Sequence, residues 1–179
     1  MARTFSGVVA LIPELEPYVR DWRARYDAEF AGLQAHVTVL TPWIAPADLT
    51  EADLDALGQL LKSWQPFEVS FADFGQFSNA DGPDVHYLAP EPADGFLGLT
   101  DDLCAVWPEF EPYDGSFAEV VPHLTLSTTA PDEAAAEFQR QLSPRLPVSA
   151  RVTELAVVEI RDDRYSLRRS FSLGGKKKR

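Results

Sequence analysis

The sequence predicts an α+β fold of two pseudo-symmetric lobes, each an antiparallel-rich sheet backed by helices. Three observations predict it. Segments of strand and helix periodicity alternate along the chain, in halves of similar order. A pattern of His, apolar, Thr, apolar occurs once in each half, as His36-Val37-Thr38-Val39 and His123-Leu124-Thr125-Leu126. No linker or low-complexity segment divides the chain, and 179 residues suffice for one domain with a sizeable core, or for two small lobes sharing a cleft. Beyond the two motifs the halves show no sequence repeat.

The elements follow in order. Phe5 to Ile12 is apolar and reads as a buried strand; Glu14 and Glu16 follow it too closely for a signal peptide. Pro13 to Ala28 is helical, with Leu15, Val19, Trp22 and Tyr26 as its inward stripe. Gln34 to Trp43 is the strand carrying the first motif. Ala47 to Trp64 is the clearest helix, striped by Leu49, Leu54, Leu57, Leu60 and Leu61. Asp48 or Thr50 caps it, and Asp53 three residues past Thr50 completes a capping box. Phe67 to Phe77 alternates as a strand that bends at Gly75. Residues 79–83 form a turn, and Val85 to Ala89 a further strand. Asp94 to Trp107 is a helix stopped by Pro108. Residues 108–119 form a loop of Pro, Gly and aromatic residues. Val121 to Thr128 is the second motif strand. Pro131 starts a helix to Leu142, with Ala134, Phe138 and Leu142 inward. Leu146 to Ile160 and Tyr165 to Leu173 read as two last strands, joined by the charged turn at 161–164.

A strand alternates its faces, so each His shares a face with its Thr, about 7 Å away, while the apolar residues anchor the opposite face. Two such strands facing across a groove would present two imidazoles and two hydroxyls. That set suits in-line displacement at phosphorus. One His takes the proton of the attacking oxygen, the other protonates the leaving oxygen, and the hydroxyls hold the non-bridging oxygens. His36, Thr38, His123 and Thr125 are the candidate catalytic residues. A lone strand His is usually structural; the doubling in a chain of only 3 His carries the inference.

With these motifs the sequence resembles the 2H phosphoesterases, which include bacterial 2'-5' RNA ligases and RNA 2',3'-cyclic phosphodiesterases. The flanks are similar to one bacterial branch: Ala-His-Val-Thr-Val-Leu-Thr-Pro-Trp at 35–43, and Pro-Tyr-Asp-Gly-Ser-Phe at 112–117 leading to the second motif. The chain departs from that branch at Thr41, where an aromatic residue is expected. The resemblance implies a bilobal fold with the motifs facing across a central cleft. It also implies metal-independent hydrolysis of a 2',3'-cyclic phosphate or a 2',5'-linked nucleotide or RNA end, with ligation as the reverse sense.

Composition sets the other bounds. Hydrophobic content of 45% and charged content of 25% are ordinary for a globular protein. Cys104 is the only cysteine, which excludes an internal disulfide and fits a reducing compartment; its apolar neighbours suggest a buried thiol. No Cys/His cluster has zinc spacing, so neither metal nor cofactor is expected. No stretch is long enough to span a membrane, and the cytoplasm is the expected location of a monomer. A net charge of −12 argues against a broad grip on RNA and favours a small nucleotide or an RNA end as partner, with no DNA and no membrane. The basic end at 174–179 reads as a solvated tail after a domain at 1–173, or as a contact for RNA or an acidic partner.

Three further residues are candidate substrate contacts. Trp43 either stacks a base or closes the strand in the core. Tyr113 and Phe117 lie in the loop before the second motif, which could close over substrate. His86 lacks a Thr two residues on and is read as non-catalytic. Arg168 or Arg169 could bind phosphate, though a solvated strand face is the plainer reading. The rival to the enzyme is a module that reads a nucleotide or RNA end in the same cleft without turnover; a weaker one is an adaptor acting through the basic tail.

Overall fold

A computed structural model describes residues 4–162 and 164–174. The basic tail from residue 175 onward lies outside the described residues, as does Asp163 of the last turn.

The order is β1 (Phe5–Leu11), α1 (Glu16–Tyr26), β2 (His36–Leu40), α2 (Glu51–Leu61), β3 (Phe67–Phe77), β4 (Val85–Glu91), α3 (Asp94–Val106), β5 (Leu124–Ser127), α4 (Asp132–Leu142), β6 (Val148–Val152), β7 (Glu154–Arg161) and β8 (Arg164–Ser172). The strands form two 4-stranded antiparallel sheets, ordered β2-β1-β7-β8 and β5-β4-β3-β6. The α+β class and the two related lobes follow. The unit β1-α1-β2 is matched by β4-α3-β5, and each places its motif strand at the edge of a sheet.

The helices are exchanged between the lobes. α1 packs on β5, and α3 packs on β2. The buried Thr100 hydroxyl on α3 donates to the Val39 carbonyl on β2 at 2.8 Å. The backbone N–H groups of Thr128 and Thr129, just past β5, donate to the Tyr26 carbonyl on α1 at 2.8 and 3.0 Å. Each motif strand is thus held by a helix of the other half. One continuous core joins the sheets, including Val37 and Val39 of β2, Leu124 and Leu126 of β5, Leu54 and Leu57 of α2, and Leu99 and Leu103 of α3.

Thr50 caps α2 as a full capping box with Asp53. Elsewhere the structure corrects the sequence reading. Leu146 to Ile160 is not one strand. It breaks at Thr153 into β6, paired with β3, and β7, paired with β1, so the chain crosses between sheets there. Apolar residues run through both sides of the break, and no Gly or Pro marks it. β3 runs on through Gly75 to Phe77, and its irregularity is a register shift against β4 between Phe71 and Asp73. On α4 the buried residues are Ala135 and Leu142, with Phe138 packed against the core as expected; Ala134 is only partly covered. On β8 a bulge opposite Val157 and Val158 breaks the alternation, so Tyr165 packs with Val9 and Val158 on one face while Phe171 joins the main core on the other. No helix among the described residues is long and apolar enough to cross a membrane.

Candidate active site

The motif strands line one cavity of about 730 Å³, to which His36, Thr38, His123 and Thr125 all contribute. Local sequence explains this placement. In β2, Val37 and Val39 are buried at 0% and 2% exposure, and around β5, Leu124 and Leu126 are buried at 0% and 1%. Burying those apolar faces turns the half-buried His and Thr of each motif towards the cavity. His36 opens β2, and His123 stands one residue before β5, a shorter strand than its sequence suggests.

Both imidazoles are oriented in the same way. His36 Nδ1 lies 2.7 Å from the Gln34 carbonyl, and His123 Nδ1 lies 2.7 Å from the Val121 carbonyl. A carbonyl only accepts, so each Nδ1 carries the hydrogen, and each Nε2 is left as the basic atom. Burial pushes the His36 imidazole down to about 4, with the charge of Arg23 acting in the same sense and the Gln34 carbonyl opposing. Burial also lowers His123, opposed by the Val121 carbonyl.

The peptide that aligns His36 is clamped from α1. Arg23 donates to the Leu33 carbonyl at 2.9 Å and to Asp27 at 3.2 Å, at 1% exposure. The Ala35 N–H donates to Glu16 at 2.6 Å, and the Ala35 carbonyl accepts from Ile12 at 2.8 Å. The two side chains thus grip the backbone on either side of Gln34. His123 is instead held among rings: Phe77 edge-on at 5.0 Å, Tyr87 tilted at 5.4 Å and Tyr113 nearly parallel at 6.3 Å.

Tyr113 and Phe117 both line the cavity, 5.6 Å apart and edge to face. Their segment contains a 3-10 turn, Pro112–Gly115, tied to β2 by the Tyr113 N–H on the Thr41 carbonyl at 2.6 Å. Tyr113 and Asp114 both sit at φ 54, in the left-handed region. Burial pushes the Tyr113 phenol up to about 12, so it stays a neutral donor.

Trp43 is a correction. It is 2% exposed, belongs to the core and meets Trp107 edge-on at 5.0 Å. Its backbone N–H bonds to the Ser6 carbonyl at 2.9 Å, which folds the chain back over β1 and turns the indole away from the cavity. Thr41 and Pro42 line the cavity there instead. His86 lies off the cavity lining, 7% exposed and opposite Ser127. Arg168 and Arg169 both pair with Glu51, at 3.4 and 2.6 Å, on the outer surface. Cys104 is half-buried, its thiol pushed up by burial and by the carboxylates of Asp101 and Glu111.

Sequence reasoning passed over several lining residues. Phe5, Val9, Val158 and Ile160 form an apolar floor from β1 and β7. Gly7 also lines it, and a Cβ there would meet the Leu40 carbonyl and Thr41 Oγ1 at 3.3 Å. Glu29 and Asp27, the latter paired with Arg23, also line it. The available signal was Arg23 lying beside the apolar stripe of α1 with Asp27 four residues on, the spacing of a helical ion pair.

The family model of the 2'-5' RNA ligase superfamily matches residues 12–164. A Bacillus licheniformis protein, named provisionally as a phosphoesterase, is 24% identical over 139 residues, 76% of this chain and 79% of that protein. A Bacillus pumilus protein of similar name is 27% identical over 129 residues, 70% of this chain and 71% of its own. Among solved structures, TT0787 of Thermus thermophilus superposes with a TM-score of 0.62 at 23% identity, covering 98% of this chain and 100% of that one. LigT of E. coli complexed with 3'-AMP superposes at 0.56 and 18% identity, covering 97% and 99%. These superpositions show the shared bilobal fold.

Proposed function

This chain belongs to the 2'-5' RNA ligase superfamily, and from that premise we propose that it is a phosphoesterase that opens a 2',3'-cyclic phosphate or cleaves a 2',5'-linked nucleotide or RNA end by two-histidine acid–base catalysis. Superfamily membership supports phosphoesterase chemistry. One observation supports the finer reading: two imidazoles on one cavity, each fixed by a carbonyl at Nδ1 so that Nε2 is the working atom, each with its Thr. A site built only to bind has no need of two imidazoles aligned in the same way. The ligand in the LigT structure is a nucleotide, in keeping with this class of substrate.

In the proposed reaction, His36 Nε2 accepts the proton of the attacking water as oxygen attacks phosphorus. His123 Nε2–H protonates the departing ribose oxygen, and Thr38 and Thr125 hydroxyls donate to the non-bridging oxygens. The nearby Arg23 charge disfavours the His36 imidazolium, which fits His36 for the base. Tyr113 and Phe117 wall the substrate. Ligation is the same opening of a 2',3'-cyclic phosphate with a 5'-hydroxyl in place of water: one imidazole takes the hydroxyl proton, the 5' oxygen bonds to phosphorus, and the 3' oxygen leaves with the proton of the other; excess water favours hydrolysis.

The test is turnover of adenosine 2',3'-cyclic phosphate in EDTA. The expected result is a nucleoside monophosphate formed at an undiminished rate, since no group of three potential ligand side chains is poised for a metal among the described residues. Saturable binding without turnover would instead favour the binding module. The pH profile is a second check. The base must be neutral and the acid protonated, so kcat/KM rises with the lower imidazole value and falls with the higher one. Both lie below the ordinary His value, one at about 4. The kcat/KM optimum is therefore expected on the acid side of about pH 6.5. The bound phosphodiester anion raises both values, so the kcat profile lies at higher pH. A kcat/KM optimum above about pH 8 would contradict this.

A further inference from the structure

We infer that Gly75 and Tyr87 are positioning residues for His123: the bare backbone of Gly75 lets the Tyr87 ring lie across β3 against Phe77, and the two rings form a shelf that holds the imidazole in place. The inference rests on the two-histidine reading above and adds residues that act through His123 rather than on substrate.

Strand pairing puts these groups on one face. Gly75 on β3 stands opposite Tyr87 on β4, and Tyr87 stands opposite Thr125 on β5. Directly paired residues share a face, as do residues two apart along a strand, so Phe77 and His123 lie on it too. A Cβ on Gly75 would collide with the Tyr87 ring at Cζ, Cε2 and the hydroxyl oxygen. Any larger residue there would push the ring off the strand. With Gly in place, Tyr87 stacks on Phe77 at 4.4 Å and 27°. Phe77 then meets the imidazole at 82°, and Tyr87 meets it at 57°. The Val121 carbonyl fixes Nδ1, and the shelf fixes the plane of the ring.

Two facts separate the shelf from ordinary packing. Phe77 and Tyr87 are half-buried and lie outside both apolar cores of the described residues. Neither lines the cavity. What the two rings share is contact with His123. They help to bury the imidazole, and burial is what lowers its value, against the Val121 carbonyl. Tyr113 of the 3-10 turn also packs on it, and His36 feels its charge. A general acid must aim its Nε2–H at the leaving oxygen, and a misplacement of about 1 Å can cost about 100-fold.

The experiment follows turnover of adenosine 2',3'-cyclic phosphate by full-length Gly75→Ala, Tyr87→Leu, Tyr87→Phe and Gly75→Ala/Tyr87→Leu. Gly75→Ala and Tyr87→Leu are each expected to lower kcat about 10- to 100-fold while KM changes less than about threefold. Tyr87→Phe keeps the ring and stays within about twofold of wild type. The double variant is no worse than Tyr87→Leu, because Gly75 acts only through that ring. The alkaline limb of kcat/KM, set by His123, moves to higher pH in both damaging variants, and the acidic limb stays. NMR titration of the His123 ring, identified by its absence in His123→Ala, reads the same change without substrate: its midpoint moves up towards the ordinary His value. Near wild-type kcat in Tyr87→Leu, additive losses in the double variant, or an unmoved alkaline limb and midpoint would overturn the inference. If one variant unfolds, the other is read; unfolding of both makes the rings part of the fold and overturns it. An inactive wild type sinks the phosphoesterase reading instead, and the NMR midpoint then decides the shelf alone, a shift supporting it and no shift overturning it.

Discussion

Replacing either imidazole, as His36→Ala or His123→Ala, is expected to lower kcat by about two to four orders of magnitude, the range of general acid–base catalysis. Neither ring fills the core: both are half-buried at the cavity, so the variants should fold and keep substrate affinity within a few-fold. The pH profile separates their roles. Loss of the base removes the acidic limb of kcat/KM, and loss of the acid removes the alkaline limb. The double variant should be little worse than either single one, because the two residues act as one unit. Near wild-type turnover by either single variant would remove that His from the chemistry.

The second large effect is on stability. Arg23→Met leaves the Asp27 carboxylate, 8% exposed, without its guanidinium. Breaking one side of a buried pair costs about 3–5 kcal/mol. The sign with pH follows from Asp27. Burial already raises its carboxyl above the ordinary value against the pull of Arg23, and losing Arg23 raises it further. A carboxyl with a raised folded value takes up a proton on folding, so the variant's deficit should shrink as pH falls from about 7.5 towards about 5. Urea denaturation at the two pH values measures this. Arg23→Met/Asp27→Leu should recover most of the loss, since it leaves no buried charge unpaired. A single variant as stable as wild type, or a deficit that grows on acidification, would contradict the account. The clamp also gives a kinetic reading: Arg23→Met should lower kcat more than it raises KM, because Leu33 and Gln34 no longer hold His36 in place.

The placement of the two His and two Thr on one cavity was legible because its signal is local. Each motif is a single strand pattern, and burial of Val37, Val39, Leu124 and Leu126 is enough to turn each His and Thr outward. The antiparallel lobes were legible for the same reason. What the sequence hid was set by pairing at a distance. The break at Thr153 separates two runs of equally apolar residues, and only their partners, β3 and β1, distinguish them. The bulge on β8 moves Tyr165 and Phe171 to opposite faces although they share a parity. Trp43, which follows the motif, was open between a stacking platform and a core residue; its burial depends on Ser6 and Trp107, remote in sequence. Arg23 was unreadable as a core residue, since a buried arginine is explained only by the groups that satisfy it, here Asp27 and the Leu33 carbonyl. The cavity floor draws on β1 and β7, whose apolar runs look the same whether they face a core or a ligand.

The central claim is that both imidazoles act on one phosphate, and a crystal structure with bound adenosine 2'-monophosphate, the nucleotide left when the 3' bond of a 2',3'-cyclic phosphate opens, tests it most directly. The account predicts the phosphate between the two rings, with His36 Nε2 and His123 Nε2 each about 2.6–3.2 Å from a different phosphate oxygen, and Thr38 and Thr125 hydroxyls on the remaining ones. A phosphate held by one imidazole alone, or bound away from the motifs, would contradict it.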